Sequence, residues 1–185
     1  MSSSTGRLVL LLGGARSGKS RLAEKIAREA GGDSVTYLAT AEVRDDEMAH
    51  RVEKHRADRP QVWQTLEEPL HVAKALLEAE HETVLLDCIT LLASNHLLGS
   101  GEEAAHDAIE RLIETAKTRT GTLIVVSNQV GDGIVPMNAL ARRFRDLQGT
   151  LNQRLADAAD TVVLVVAGLP LTLKGQGQTT ATFGE

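Results

Sequence analysis

Gly13-Gly14-Ala15-Arg16-Ser17-Gly18-Lys19-Ser20 is the stretch of this chain best equipped for chemistry, because it matches the spacing G-x-x-x-x-G-K-[ST]. Glycine permits backbone angles that turn successive N–H groups toward one anion, and a helix starting there adds the positive end of its dipole. In such a loop the lysine, here Lys19, reaches the β- and γ-phosphates of a nucleoside triphosphate, and the hydroxyl of Ser20 faces Mg²⁺. With glycine near 7% of residues in ordinary proteins, a chance match in a chain of this length is on the order of 1%. The loop also needs an acidic partner near the metal. Asp87 suits this, since it follows the apolar run Val84-Leu85-Leu86, at the strand end where ligands approach such sheets.

His55 is a second candidate. Met48, Val52 and His55 fall at i, i+4 and i+7 and share one face of a predicted helix. A neutral, partly desolvated imidazole facing the protein is a competent nucleophile. On spacing alone, a packed and hydrogen-bonded histidine is the simpler reading. Arg51, Arg56 and Arg59 surround it in sequence, and a planar guanidinium suits phosphate. The same arginines also fit a solvated helix face. His50, His71, His81, His96 and His106 sit in no comparable context and read as surface or packing residues.

Alternating elements must position these groups. Leu8–Leu12 reads as a buried strand, 19–30 as a helix stopped by Gly31-Gly32, and 35–39 as a second strand. Residues 45–56 read as a helix with the acidic first turn Asp45-Asp46-Glu47, broken by Arg59-Pro60. Residues 69–79 read as a helix with Pro69 at its start, and 83–86 as a strand. Residues 102–118 form a helix with Ile109, Leu112, Ile113 and Ala116 on one stripe. A strand over 122–127 precedes a Gly-containing loop, 129–136. A helix over 138–159 carries Leu140, Phe144, Leu147, Leu151 and Leu155 at heptad-like spacing. Residues 161–167 read as the last central strand and 171–173 as an edge strand. Strands alternating with helices imply one α/β domain over 1–185, a mostly parallel, RecA-like P-loop sheet covered on both faces. Its polar ends, about 1–6 and 175–185, are expected to be mobile.

Composition removes other function classes. The only aromatics are Tyr37, Trp63, Phe144 and Phe183, too few for a base-stacking surface. A net charge of −5 gives no basic footprint for nucleic acid. The single cysteine, Cys88, cannot form an internal disulfide or a cysteine-based metal site. The start is polar and the run Leu8–Leu12 is too short for a signal core or a membrane span, so a cytoplasmic protein is expected. GTP-binding switches carry an Asn-Lys-x-Asp guanine motif that this chain lacks. A P-loop kinase for another small metabolite, using Lys19, Ser20 and Asp87 without a covalent step, is the alternative.

Longer stretches are more specific. Beside the phosphate loop they include Tyr37-Leu38-Ala39-Thr40-Ala41 and Asp45-Asp46-Glu47-Met48 with Arg51, His55 and Arg59-Pro60. They continue through Trp63, Glu67-Glu68-Pro69-Leu70, Asp87-Cys88-Ile89-Thr90, Ser94-Asn95 and Asn128. They close with Val130-Gly131-Asp132-Gly133-Ile134-Val135-Pro136, Ala141-Arg142, Phe144-Arg145-Asp146, Gly149 and Leu151-Asn152-Gln153. In this order, from about residue 8 to Lys174, the chain resembles the bifunctional adenosylcobinamide kinase / adenosylcobinamide-phosphate guanylyltransferase family of cobalamin synthesis.

The resemblance implies phosphorylation of adenosylcobinamide by GTP or ATP, then transfer of GMP from GTP to adenosylcobinamide phosphate. It makes His55 the residue that carries GMP covalently. It implies nucleotide contacts at Thr40, Ala41 and Glu42, at Arg56, Ala57, Asp58 and Arg59, and at Glu67 and Asp87, with Mg²⁺ on Ser20 and Asp87. It also implies a small homo-oligomer, a trimer. Two departures stand out. The family has Asn-Glu before Val-Gly where this chain has Asn128-Gln129, and an amide cannot accept a proton as a carboxylate does. If the kinase step needs that carboxylate, only the guanylyl transfer survives. The family often has Trp after Asp-Cys-x-Thr, where this chain has Leu91-Leu92-Ala93, a difference read as packing.

Overall fold

The computed structural model describes residues 6–42, 53 and 60–175. The anticipated helix over 45–56 and the polar ends lie almost wholly outside these, although Glu53 is helical. Seven strands form one sheet in the order β3-β2-β4-β5-β1-β6-β7. They are β1 Arg7–Gly13, β2 Val35–Ala39, β3 Gln64–Glu67, β4 Thr83–Asp87, β5 Thr122–Asn128, β6 Thr161–Val166 and β7 Leu169–Lys174. All neighbours run parallel except β7, which folds back antiparallel on β6.

The helices that lie wholly within the described residues are α1 Lys19–Gly31, α2 Val72–Glu78, α3 Ile89–Gly99, α4 Glu102–Thr118 and α5 Ala139–Ala158. Strand alternation divides the core in two. Leu8, Leu10, Leu12, Val84, Leu86, Leu123 and Val125 pack with side chains of α2 to α5. Val9, Leu11, Tyr37, Leu85, Ile124, Val126, Val163 and Val165 pack with Leu22, Ala23 and Ala27 of α1. Because both faces are covered, the central strands read as continuous apolar runs, as parallel sheets require.

Several expectations need correction. The helix over 69–79 starts only at Val72. Pro69, Leu70 and His71 instead form a turn in which Glu68 Oε1 accepts from Leu70 N at 2.9 Å and His71 N at 2.8 Å. Burial raises the pKa of the Glu68 carboxyl, but those two N–H groups, together with the nearby His71 and Lys74 side chains, outweigh it and hold the carboxyl below its ordinary value. Helix α3 and the short strand β3 were not anticipated. The edge strand is longer than expected, Leu169–Lys174. On α5, Leu147, Leu151 and Leu155 are buried, but Leu140 is exposed and does not belong to the core stripe.

Candidate active site

The phosphate loop grows out of the middle of the sheet. Strand β1 lies between β5 and β6 and ends at Gly13. A Cβ on Gly13 would stand 2.5 Å from Ser17 Oγ and 2.6 Å from Val165 O, so no larger residue fits. Gly18 has φ of 95° and lies against Gly168, and it opens α1 in a conformation that glycine adopts without strain. Gly168 N donates to Ser17 O at 2.8 Å, tying the loop to the β6–β7 turn. The first turn of α1 has no side-chain cap and no acidic residue, leaving its N–H groups for an anion.

Lys19 is buried, and its ammonium donates to Gly14 O at 2.9 Å. That bond folds the lysine back across its own loop. Burial lowers its pKa below the ordinary 10.5, and nearby Cys88 and Asp87 partly oppose this. Burial also pushes the Cys88 thiol up to about 12, and the Asp87 charge adds to the rise. The thiol is therefore neutral at ordinary pH, and Asp87 is the anion that Lys19 meets there.

Asp87 ends β4, and one of its oxygens, Oδ2, accepts from Tyr37 Oη at 2.8 Å. The tyrosine is buried and fixes the carboxylate at the strand end. Asp87 and the Ser20 hydroxyl are hard oxygen donors of the kind Mg²⁺ takes when phosphates and water complete its shell. No cluster of three His, Cys, Asp or Glu side chains able to hold a metal by itself occurs among the described residues.

Thr40 is fully buried, and all its polar groups are used inside the protein. Its hydroxyl donates to Cys88 O at 2.7 Å and accepts from Cys88 N at 2.9 Å, and its N–H donates to Asp87 O at 3.2 Å. Asn95 Nδ2 donates to the Thr40 carbonyl at 2.9 Å and to Pro69 O at 3.0 Å. Thr40 therefore works by holding the end of β2 against β4. Ala41 is half-buried and Glu42 exposed just beyond it. Glu67 ends β3 at the same level, since Ala39 is paired with both Glu67 and Asp87.

The end of β5 is held from three sides. Asn128 N donates to Thr90 Oγ1 at 2.8 Å, and Gln129 N donates to Gly13 O at 2.9 Å. Asn152 Nδ2 donates to Asn128 O at 3.1 Å. Beneath lies a buried amide–hydroxyl cluster. Ser127 Oγ donates to Asn152 Oδ1 at 2.6 Å, and Gln148 Nε2 reaches both Ser127 Oγ and Asn152 Oδ1 at 2.9 Å.

The structure thus brings Gly13 to Ser20, Asp87, Thr40 to Glu42 and Glu67 to one edge of the sheet. Ala15 and Arg16 are exposed on the loop. His55, Arg56, Ala57, Asp58 and Arg59 lie outside the described residues. Tyr37, Asn95, Gln148 and Asn152 were not singled out as site residues. Gln148 and Asn152 could have been found as polar residues beside the apolar positions Leu147 and Leu151 of α5. No helix among the described residues is long and apolar enough to cross a membrane.

A sequence model described as cobinamide kinase / cobinamide phosphate guanyltransferase matches residues 9–173. The chain is 47% identical over 170 residues to the bifunctional adenosylcobalamin biosynthesis protein CobP of Pseudomonas aeruginosa, covering 90% of this chain and 97% of that protein. It is 42% identical over 185 residues to the bifunctional adenosylcobalamin biosynthesis protein CobU of Escherichia coli K12, covering 90% and 99%. Among solved structures, the flagellar accessory protein FlaH of Methanocaldococcus jannaschii aligns with a TM-score of 0.51 at 14% identity, over 94% of this chain and 80% of that one. A KaiC-like protein of Pyrococcus horikoshii OT3 aligns at 0.50 and 15% identity, over 86% and 71%. At those identities the likeness concerns the fold, a RecA-like P-loop sheet.

Proposed function

The chain belongs to the cobinamide kinase / cobinamide phosphate guanyltransferase family, and on that premise we propose that it performs both reactions on one nucleotide site. It phosphorylates adenosylcobinamide with GTP or ATP, then joins GMP from GTP to that phosphate through a guanylyl-histidine on His55, giving adenosylcobinamide-GDP. The observation that carries this reading is a nearly full-length family match in a chain whose phosphate loop stands beside Lys19 and Asp87.

In the first step the substrate hydroxyl oxygen attacks the γ-phosphorus. The bond from that phosphorus to the β,γ-bridging oxygen breaks, the nucleoside diphosphate leaves, and the hydroxyl proton passes to water. Lys19 and the N–H groups of the loop neutralise the oxygens that gain charge. Ser20 and Asp87 would hold a Mg²⁺ ion, which when bound would supply further charge neutralisation.

In the second step a ring nitrogen of His55 attacks the α-phosphorus of GTP and pyrophosphate leaves. The phosphate oxygen of the corrinoid then displaces the imidazole and takes the GMP. Splitting one displacement into two is the ordinary gain from a nucleophilic side chain. Arg56 to Arg59, Ala41, Glu42 and Glu67 are assigned to the nucleotide, and Thr40 to shaping the strand end beside it. We place the work in the cytoplasm, where Cys88 stays reduced.

Incubation with α-labelled GTP tests the covalent step. Label should remain on the denatured wild-type protein and be absent from His55→Ala. An unlabelled wild type would sink the histidine mechanism. A second reading, guanylyl transfer alone, is favoured by Gln129, an amide whose backbone is bonded to the phosphate loop. Assaying adenosylcobinamide and its phosphate as separate acceptors separates the two readings, because only the full enzyme consumes the unphosphorylated one.

A further inference from the structure

We propose that the side-chain amide of Asn128 donates a hydrogen bond to the γ-phosphoryl group and stabilises its transfer. This rests on the kinase step proposed above and adds a catalytic residue to it. The argument begins with the order of the strands. Strand β5 is the one strand paired with both β1, which carries the phosphate loop, and β4, which carries Asp87. A group at its end therefore lies about one strand spacing, roughly 5 Å, from the root of the phosphate loop, and on a longer diagonal, roughly 8 Å, from Asp87.

Alternation along the strands then fixes the face. Ile124 and Val126 of β5 pack on α1, while Leu123 and Val125 pack on the opposite helices. Ser127 continues the second set, and its hydroxyl meets Gln148 and Asn152 of α5. Asn128 thus continues the first set, on the α1 side. Asp87 continues Leu85 on that same side and bonds Tyr37 there. Gly13 pairs directly with Asn128, and its partner groups, Ser17 and Val165, mark the root of the loop. Gly13 and Asn128 stand level at the carboxyl edge, and Asp87, level with Val126, lies two residues back on the far side of β5.

Two further features suit a polar group that must wait in place for a ligand. The Asn128 backbone is locked through its own N–H, its carbonyl and the next N–H, by Thr90, Asn152 and Gly13. Its half-buried side chain makes no hydrogen bond to another described residue. A neutral N–H donor, fixed before the reaction, suits equatorial oxygens that gain charge while the bond to the leaving diphosphate lengthens. The guanylyl step breaks a bond at the α-phosphorus, two phosphates away, so a contact at the γ-phosphate contributes there mainly to binding.

The test uses the full chain with Asn128→Ala and the isosteric Asn128→Asp. Phosphorylation of adenosylcobinamide from γ-labelled GTP should lose about 100-fold in kcat in both variants. The single-turnover rate of protein labelling by saturating α-labelled GTP should stay within about threefold of wild type. A second readout needs no corrinoid. The preference for a non-hydrolysable triphosphate over the diphosphate, measured as a ratio of Kd values, should shrink about tenfold in Asn128→Ala. Kinase turnover unchanged in both variants, an equal fall in both reactions, or an unchanged Kd ratio would each overturn the assignment. If wild type itself cannot phosphorylate adenosylcobinamide while the Kd ratio still shrinks, the kinase reading fails and the γ-phosphate contact stands.

Discussion

Lys19, proposed above to neutralise the phosphate oxygens, also carries a cost to the fold. Its ammonium is buried, bonded to Gly14 O, and lowered in pKa first by burial, with Asp87 as the opposing charge at neutral pH. The sign follows from linkage. Between the lowered folded value and 10.5 the unfolded chain holds more protons than the folded one, so this group's contribution to stability rises with pH through that window. Nucleotide affinity moves the other way, because a triphosphate favours the protonated lysine. Affinity should be flat near neutrality and fall on the alkaline side, starting below 10.5. Calorimetry in buffers of different ionisation heat should show proton uptake on binding that grows as pH rises. Lys19→Met should bind weakly and show neither trend. Uptake that stays at zero up to pH 10.5 would mean that burial does not depress this lysine.

At the scale of elements, the phosphate loop is placed by its neighbours as much as by its own glycines. Gln129 N and Gly168 N bond to Gly13 O and Ser17 O, so β5 and the β6–β7 turn hold the loop from both sides. Asn152 of α5 secures the β5 end through Asn128 O and accepts from Ser127 and Gln148. Truncating it leaves buried donors and an acceptor unpaired, which costs about 2 kcal/mol. Asn152→Ala should lower the midpoint of thermal unfolding by about 4–8 °C. It should also slow phosphoryl transfer more than Gln148→Ala, because only Asn152 touches the Asn128 carbonyl. A variant with wild-type stability would show that relaxed neighbours or water replace the amide.

The same elements explain what could be read in advance. The central strands were legible because burial on both faces makes them unbroken apolar runs, and the loop because its chemistry demands glycines at set positions. Helix α3 was not, because Ile89, Leu92, Ala93, Asn95 and His96 are all buried and leave no polar face to give a period. Strand β3 is short and half-covered, with too few residues to show alternation. Pro69 signalled a helix start, but Glu68 captures the Leu70 and His71 N–H groups and delays the helix to Val72. Of the candidate site, the residues assigned to phosphate were visible as a motif. The roles of Tyr37, Asn95, Gln148 and Asn152 in holding the strand ends were not, because their partners are distant in sequence.

Over the whole molecule, the site is a meeting point of five strand ends, two helix starts and the β6–β7 turn. The strands are β1 to β5, and the helices are α1 and α3. A ligand bound there adds links between parts of the chain that are far apart in sequence, so its binding energy should appear as global stability. At 100 times its dissociation constant a nucleotide adds about 2.7 kcal/mol. For a chain of this size that corresponds to a rise of about 5–10 °C in the unfolding midpoint. Lys19→Ala separates the two roles of the site. It removes a buried charge, so the nucleotide-free variant should melt no lower than wild type, while the rise on adding nucleotide at the same concentration should largely vanish. A lower midpoint without nucleotide would mean that the Lys19–Gly14 bond outweighs the desolvation of the ammonium. The phosphate loop would then be built for stability as well as for its ligand.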